Sequence, residues 1–155
     1  MKIKWDTHMR LHWIKTMLSK TALNALKAFT VLAELPAGSH AGAKAIAEKI
    51  DAGQNYLGKL LQSMVDEGLV VSQKGMGGGF RLNRRPEEIS IFDVVEPIDH
   101  VSRWDGCFMG RPSCTEKNSC SVHDRWKAIR TDYLDFLRET TLTDLKKNEG
   151  VELRL

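Results

Sequence analysis

The stretch from Cys107 to His123 reads CFMGRPSCTEKNSCSVH and holds every cysteine in the chain. Six residues separate Cys107 from Cys114, five separate Cys114 from Cys120, and His123 stands three positions after Cys120. Gly, Pro, Ser and Asn punctuate the intervals, so the stretch is expected to be a loop and not a packed helix or strand. Thiolates and imidazole are ligands for soft and borderline metals, and thiols also carry redox chemistry. An odd number of clustered cysteines argues for a metal or redox site and against a disulfide framework. Zinc sites with three cysteines and a histidine usually contain a pair with about two to four residues between ligands, and here only Cys120 and His123 are that close. A thiolate-bound metal, zinc and free redox-sensing thiols all remain open on the residues alone. His40 and His100 lie outside this constellation and read as ordinary polar residues.

At 155 residues the chain suits one domain with an appendage, and its 42% hydrophobic content is enough for a core. No apolar run reaches the length of a membrane span, and no signal-peptide pattern is present. A cytoplasmic protein with no membrane partner is expected. The formal net charge of +3 comes from residues 1–16, where Lys2, Lys4, Arg10 and Lys15 face Asp6 alone. Residues 17–86 carry nine Lys and Arg against five Asp and Glu, whereas residues 87–155 carry ten against fourteen. A polyanion therefore belongs against the front half.

The elements that position the loop follow in chain order. Residues 1–16 show neither cap nor period and are expected to be an extension preceding a native start at Met17, with an ordering arm as the alternative. Ser19 is a plausible N-cap for a helix whose inward residues are Leu23, Leu26, Phe29 (or Thr30) and Ala33, ending before Pro36-Ala37-Gly38. Ala43–Ile50 predicts a short helix with Ile46 and Ile50 inward. A turn at Asp51-Ala52-Gly53 leads to a second helix from Gln54 to about Glu67, with Tyr56, Leu57, Leu60, Leu61 and Met64 on its apolar face and Gly68 at its C-terminus. This pair reads as a helix-turn-helix.

Leu69–Gln73 and Phe80–Leu82 then read as two short strands around the turn Lys74-Gly75-Met76-Gly77-Gly78-Gly79. Helix, turn, helix and β-hairpin is the order of a winged helix. Three successive glycines are expected to let the wing tip bend and come close to another backbone. Lys74, Arg81, Arg84 and Arg85 flank that tip and suit phosphates. Gln54, Asn55, Tyr56, Lys59 and Gln62 on the second helix, with Gly77 and Gly78 of the wing, complete a candidate DNA-reading set.

Ser90 is a candidate cap for a helix over Ile91–Ile98. A long helix is expected after His123, running to about Thr140. Val122, Trp126, Ile129, Tyr133 and Phe136 alternate at spacings of four and three, a heptad seam suited to a homodimer interface; packing against the protein's own first helix would give the same stripe. A last short helix starts near Thr143. The fold class is mainly α with a small β-wing: an N-terminal extension at 1–16, a winged-helix DNA-binding domain at 17–98, a loop at 99–123, and a dimerisation helix with tail at 124–155.

These pieces together resemble the IscR/NsrR-type winged-helix transcription regulators of bacteria. The resemblance runs from Met17 to about Lys147. It rests on Leu18-Ser19-Lys20, Asn55-Tyr56-Leu57, Gly68-Leu69-Val70, the wing string Lys74 to Phe80, the three-cysteine loop, and the Thr141–Leu145 segment after the long helix. It implies a homodimer that binds double-stranded operator DNA, acts as a repressor or redox sensor, and responds to nitric oxide, redox or iron–sulfur status. It also implies an iron–sulfur cluster in each subunit, with Cys107, Cys114 and Cys120 as thiolate ligands and His123 as the fourth. That set belongs to the IscR branch and favours [2Fe-2S] over [4Fe-4S]. The other branch takes a carboxylate from the partner's first helix, and Thr21-Ala22-Leu23-Asn24 contains none. Two departures stand out. The first cysteine gap is one residue longer than is usual, and Gly58 occupies the place of a glutamate in the recognition helix of the IscR branch.

Histidine in place of a thiolate makes a cluster less negative, raises its potential and adds a protonatable ligand. The loop lies between the DNA-binding domain and the dimer helix, so a change at the loop would shift the spacing of two recognition helices. A zinc-stabilised or thiol-based regulator of the same fold is the alternative. A small iron–sulfur oxidoreductase or electron carrier would leave the wing and helix-turn-helix without purpose, and no second cofactor motif supports an enzyme.

Overall fold

A computed structural model describes residues 17–146. The expectations for residues 1–16, and for the chain beyond Lys146, lie outside the described residues. Helix α1 (Lys20–Ala33) starts at Ser19, whose Oγ accepts the Ala22 N–H at 3.1 Å. The buried face of α1 is Ala22, Ala25, Ala28, Phe29 and Leu32. Of the expected stripe Phe29 is fully buried, while Leu23, Leu26 and Ala33 are half-buried, with Leu26 and Ala33 resting against the core. The alanines face inward because other elements press against this helix from several sides, and the larger Leu23 and Leu26 are left half-buried.

Helix α2 (Ala43–Ile50) buries Ile46 and Ile50 and ends on Asp51 in the left-handed conformation, φ 53°. Helix α3 (Gln54–Asp66) buries Leu57, Leu60, Leu61 and Met64. Tyr56 is not on that face: it is 40% exposed. Gly68, at φ 71°, turns the chain out of α3. Strands β1 (Val70–Gln73) and β2 (Gly79–Leu82) pair antiparallel, with Val70 opposite Leu82 and Gln73 opposite Gly79.

The wing is not free at its base. Ala41 and Phe80 exchange two backbone hydrogen bonds of 2.9 and 2.8 Å, which ties β2 to the residues entering α2. A Cβ on Gly79 would lie 2.4 Å from the Ala41 carbonyl oxygen, and one on Gly78 would lie 2.2 Å from the Gln73 carbonyl oxygen. The close approach expected of these glycines is to the protein's own backbone, and it restrains the hairpin where free bending was expected.

Helix α4 (Ile91–Asp99) opens with a reciprocal cap: Ser90 Oγ accepts the Asp93 N–H, and the Asp93 carboxylate accepts the Ser90 N–H. Helix α5 (His123–Glu139) follows the cysteine loop, and helix α6 (Leu142–Lys146) closes the described chain. Ile91 N–H donates to Thr140 O and Leu142 N–H to Ile89 O, stitching the end of α5 onto the start of α4. Leu142 is fully buried in the main core with Phe29, Leu57 and Val94. The C-terminal segment is thereby part of the packing of the winged-helix domain.

Two mutations separate strain from close packing at the wing. Gly79→Ala meets both a backbone clash and φ 141°, whereas Gly77 (φ 76°) has open space around it. Gly79→Ala is expected to lose about 1–3 kcal/mol of stability. Gly77→Ala is expected to lose about 1 kcal/mol. Urea unfolding followed by circular dichroism checks the order.

Candidate metal centre and nucleic-acid interface

The cysteine loop has almost no core of its own. Between Gly106 and Ser121 no residue is buried, and only Cys107, Cys114 and Cys120 are even half-buried. Its shape is set by hydrogen bonds from α5. The Gly106 carbonyl accepts Trp126 Nε1–H at 2.8 Å and Arg130 Nη1–H at 3.1 Å, and Arg130 also donates to the Asp105 carbonyl. Trp126 stands between Trp104 and Phe108, with ring centres 5.9 and 5.3 Å away. Further along, Lys127 pairs with Glu116, and its ammonium holds that carboxyl below its ordinary value. Three residues on the first two turns of α5 therefore grip both lobes of the loop.

Upstream, α4 ends on His100 at φ 49°, and a 3-10 turn runs over Val101–Asp105. The Glu96 carboxylate caps that turn by accepting the backbone N–H and the hydroxyl of Ser102. The Gly110 N–H donates to Cys107 O at 2.9 Å, with Gly110 itself at φ 69°. The Arg111 N–H bonds to the Cys107 sulfur and pulls its thiol down to about 7, helped by the Met109 N–H and opposed by burial. The second lobe is a small hairpin in which Thr115 faces Asn118 and the Arg111 guanidinium donates to Asn118 Oδ1 at 3.0 Å. Cys114 accepts the Cys120 N–H, which draws its thiol down. Burial and the neighbouring Cys107 and Cys120 thiols outweigh that bond and leave it above its ordinary value.

The three sulfurs come together within 4.8 Å of one another. Cys107 Sγ and Cys120 Sγ are 3.8 Å apart, and Cys114 Sγ is 3.2 Å from His123 Nδ1. Two sulfurs on one tetrahedral metal at about 2.3 Å would be separated by about 3.8 Å. The other ring nitrogen of His123, Nε2, is buried with no hydrogen-bond partner. A convergent set of three thiols and an imidazole, one thiol already acidic, suits a thiolate-seeking metal or cluster. Among the described residues the three cysteines are the one group of three or more His, Cys, Asp or Glu placed to hold a metal ion, and the His123 ring stands outside that group, with its Nδ1 against Cys114 Sγ.

On the DNA-binding side, Gln54, Asn55, Tyr56 and Lys59 are all exposed on α3, as are Lys74 and Gly77 in the wing. Gly53 caps α3 with no side-chain bond, so the first N–H groups of that helix are open to an anion. Gly78 and Arg81 are half-buried, and Arg81 donates to its neighbour's carbonyl, Leu82 O. Arg85 is engaged by Glu88 at 2.7 Å and Glu87 at 3.4 Å, so it is less available to phosphate than its sequence position suggested.

The expected seam on α5 divides by function. The buried contact of α5 is made by Leu134 and Leu137, neither of them in the expected seam, with Leu137 packed beside Ile91, Val95 and Val101. Ile129 and Phe136 stay 61% and 56% exposed, while Trp126 and Tyr133 are half-buried. Tyr133 has a buried hydroxyl without a hydrogen-bond partner, and burial raises its pKa. Trp126 and Arg130 are the anchors the sequence reading did not find. A tryptophan in an apolar stripe carries no mark of a hydrogen bond to a carbonyl twenty residues earlier.

A family model described as Rrf2, iron-dependent transcriptional regulator, matches residues 18–148. The chain is 32% identical over 106 residues to the HTH-type transcriptional regulator IscR of Pectobacterium atrosepticum, covering 68% of this chain and 64% of that protein. It is 33% identical over 92 residues to an HTH-type transcriptional regulator of Aquifex aeolicus, covering 58% and 64%. The chain thus spans just under two thirds of the length of these relatives. CymR, the global cysteine regulator of B. subtilis, is similar in structure with a TM-score of 0.68 at 24% identity, covering 84% of this chain and 95% of that one. T. potens IscR gives a TM-score of 0.64 at 22% identity, covering 84% and 86%. At these identities the structural likeness speaks for the fold alone.

The unequal thiols give a pH signature. In metal-free protein, the reaction of Cys107 with iodoacetamide is expected to rise through about pH 7. Cys114 follows only at higher pH, because its thiol is raised; thiolates are the reactive form, and they appear as pH passes each pKa. Peptide mass spectrometry across a pH series reads both residues. Equal rates for the two at pH 7 would contradict the geometry.

Proposed function

The chain belongs to the Rrf2 family of transcriptional regulators, and on that footing we propose that it is a homodimeric repressor that binds double-stranded operator DNA and senses redox, nitric oxide or iron–sulfur status. Its relatives are regulators and not enzymes. The observation that carries the sensing role is the convergence of Cys107, Cys114 and Cys120 within 4.8 Å, with His123 Nδ1 against Cys114. These four residues are the proposed holders of an iron–sulfur cluster, [2Fe-2S] in preference to [4Fe-4S]. Two donor pairs, Cys107 with Cys120 and Cys114 with His123, suit two tetrahedral irons. When bound, such a group supplies a centre that gains and loses electrons at a potential raised by the imidazole ligand.

The protein's residues do the rest. Trp126, Lys127 and Arg130 hold the loop against α5, so the order of the loop and the position of that helix depend on one another. Helix α5 offers Ile129 and Phe136 to a second copy, with Trp126 and Tyr133 bordering them. Helix α3 presents Gln54, Asn55, Tyr56 and Lys59 to base edges and phosphates, and the wing adds Lys74, Gly77, Gly78 and Arg81. Two half-sites are read only when the two α3 helices stand at the matching spacing. A shift of the loop therefore acts on affinity through the dimer helix. Operator DNA as ligand places the protein in the cytoplasm; among the described residues, no helix is long and apolar enough to cross a membrane.

A second reading has its own support. Sulfurs 3.8 Å apart, as in Cys107 and Cys120, need little movement to form a disulfide, and all three also fit around one zinc ion. Strictly anaerobic purification separates the readings. A coloured protein with iron and acid-labile sulfide is expected, and a colourless one with stoichiometric zinc, or with three free thiols and no metal, would reject the cluster.

In the loaded protein, His123→Cys is expected to keep the cluster and lower its reduction potential, because a thiolate adds negative charge. Potentiometry followed by electron paramagnetic resonance reads the shift. For the dimer, the double substitution Ile129→Glu and Phe136→Glu is expected to yield monomers in sedimentation, with the helical content unchanged because both side chains are exposed.

A further inference from the structure

Met76 is 104% exposed, the highest value among the large hydrophobic side chains described. Such a residue buries nothing and adds nothing to folding. It stands in the turn beyond the last strand pair, Gln73 opposite Gly79. Gly75 and Gly77 on either side have φ of 96° and 76°, and the Gly78 N–H closes the turn onto Gly75 O at 3.0 Å. Across Gly75-Met76-Gly77-Gly78-Gly79, Met76 carries the single side chain. Behind it the hairpin is fixed, because Ala41 and Phe80 are bonded in both directions and Gly79 lies against the Ala41 carbonyl. The wing is therefore a narrow finger held at its base, with one apolar side chain near its end and the exposed Lys74 close by in the chain.

The geometry points to Met76 as an apolar wedge that enters the DNA minor groove beside the sequence read by α3. This rests on the DNA-binding role proposed above. The minor groove is only about 6 Å wide, and a tip stripped of other side chains can enter it. Lys74 and the half-buried Arg81 provide positive charge beside a groove lined by phosphates. An unbranched thioether adapts to a partly opened base step, and methionine is among the side chains that wedge between bases and bend the duplex. Pyrimidine–purine steps open most readily, so the wedge selects TA or CA at a position where no hydrogen bond reads the base. One side chain is too small an area for a protein partner.

The test uses the full-length protein and duplexes it enriches from a random pool. On an enriched duplex labelled for energy transfer at its ends, wild type is expected to bend the DNA. Met76→Ala is expected to lose most of that bend, bind about tenfold more weakly and lose its preference among flanking steps. Met76→Leu, which keeps an apolar side chain, is expected to retain the bend. Lys74→Ala is expected to keep the bend and reduce the slope of log affinity against log salt by about 1. Equal bending, affinity and step preference in Met76→Ala and wild type would overturn the wedge and leave the DNA-binding role standing. Loss in Met76→Ala of binding to anionic phospholipid vesicles, with DNA binding and bending unchanged, would also overturn it. If wild type enriches no duplex, the DNA-binding role fails and the wedge fails with it.

Discussion

Close packing across α1 is the constraint on which the rest of the structure depends. Ala22, Ala25 and Ala28 are fully buried on one helix. Helices α2, α4 and α6 and strand β2 all pack against it. A methyl group at these positions lets neighbouring elements approach closely, and a larger side chain would push them apart. Through this helix the wing, α3 and the C-terminal segment share one interior. Phe29, Met64, Val94 and Leu142 belong to the same cluster although they come from four different helices.

The cysteine loop follows the opposite rule. It buries no complete side chain, so it cannot be stabilised by apolar area. Its order comes from a few directed bonds: two donors on the Gly106 carbonyl, an ion pair between Lys127 and Glu116, and turns closed by Gly110 and Asn118. Such bonds are each worth little and are easily exchanged for water. A loop built this way is held far less firmly than the close-packed domain beside it.

Contacts connect the two regions. The Asp99 carboxylate at the end of α4 accepts the Ser19 N–H at the start of α1, 2.7 Å away. One residue further on, His100 takes the left-handed conformation and the chain turns into the 3-10 segment that leads to Cys107. Helix α5 leaves the loop at His123 and returns to α4 through Leu137 and the strand-like bonds at Thr140 and Leu142. The loop thus meets the α1–α4 pair at both of its ends.

The sequence by itself determined the parts that depend on near neighbours. Ser19 and Ser90 marked helix starts, Gly68 a helix end, and the glycine run the wing turn, because caps and turns are decided within about four residues. The run from Cys107 to His123 also marked where the thiols gather, since it holds every cysteine in the chain. Only the tertiary structure decided that Ala22, Ala25 and Ala28 are the deepest residues of α1 beside Phe29, since α2, α4 and α6 all pack against that helix. It decided that Tyr56 faces solvent, that Arg85 is held by its own glutamates, and that Gly78 and Gly79 are required by the backbones of Gln73 and Ala41. It gave Trp126 a hydrogen bond to the Gly106 carbonyl and left Ile129 and Phe136 exposed. Each of these depends on a packing direction or on a contact between residues distant in the chain, and the local periodicity of a sequence carries no information about either.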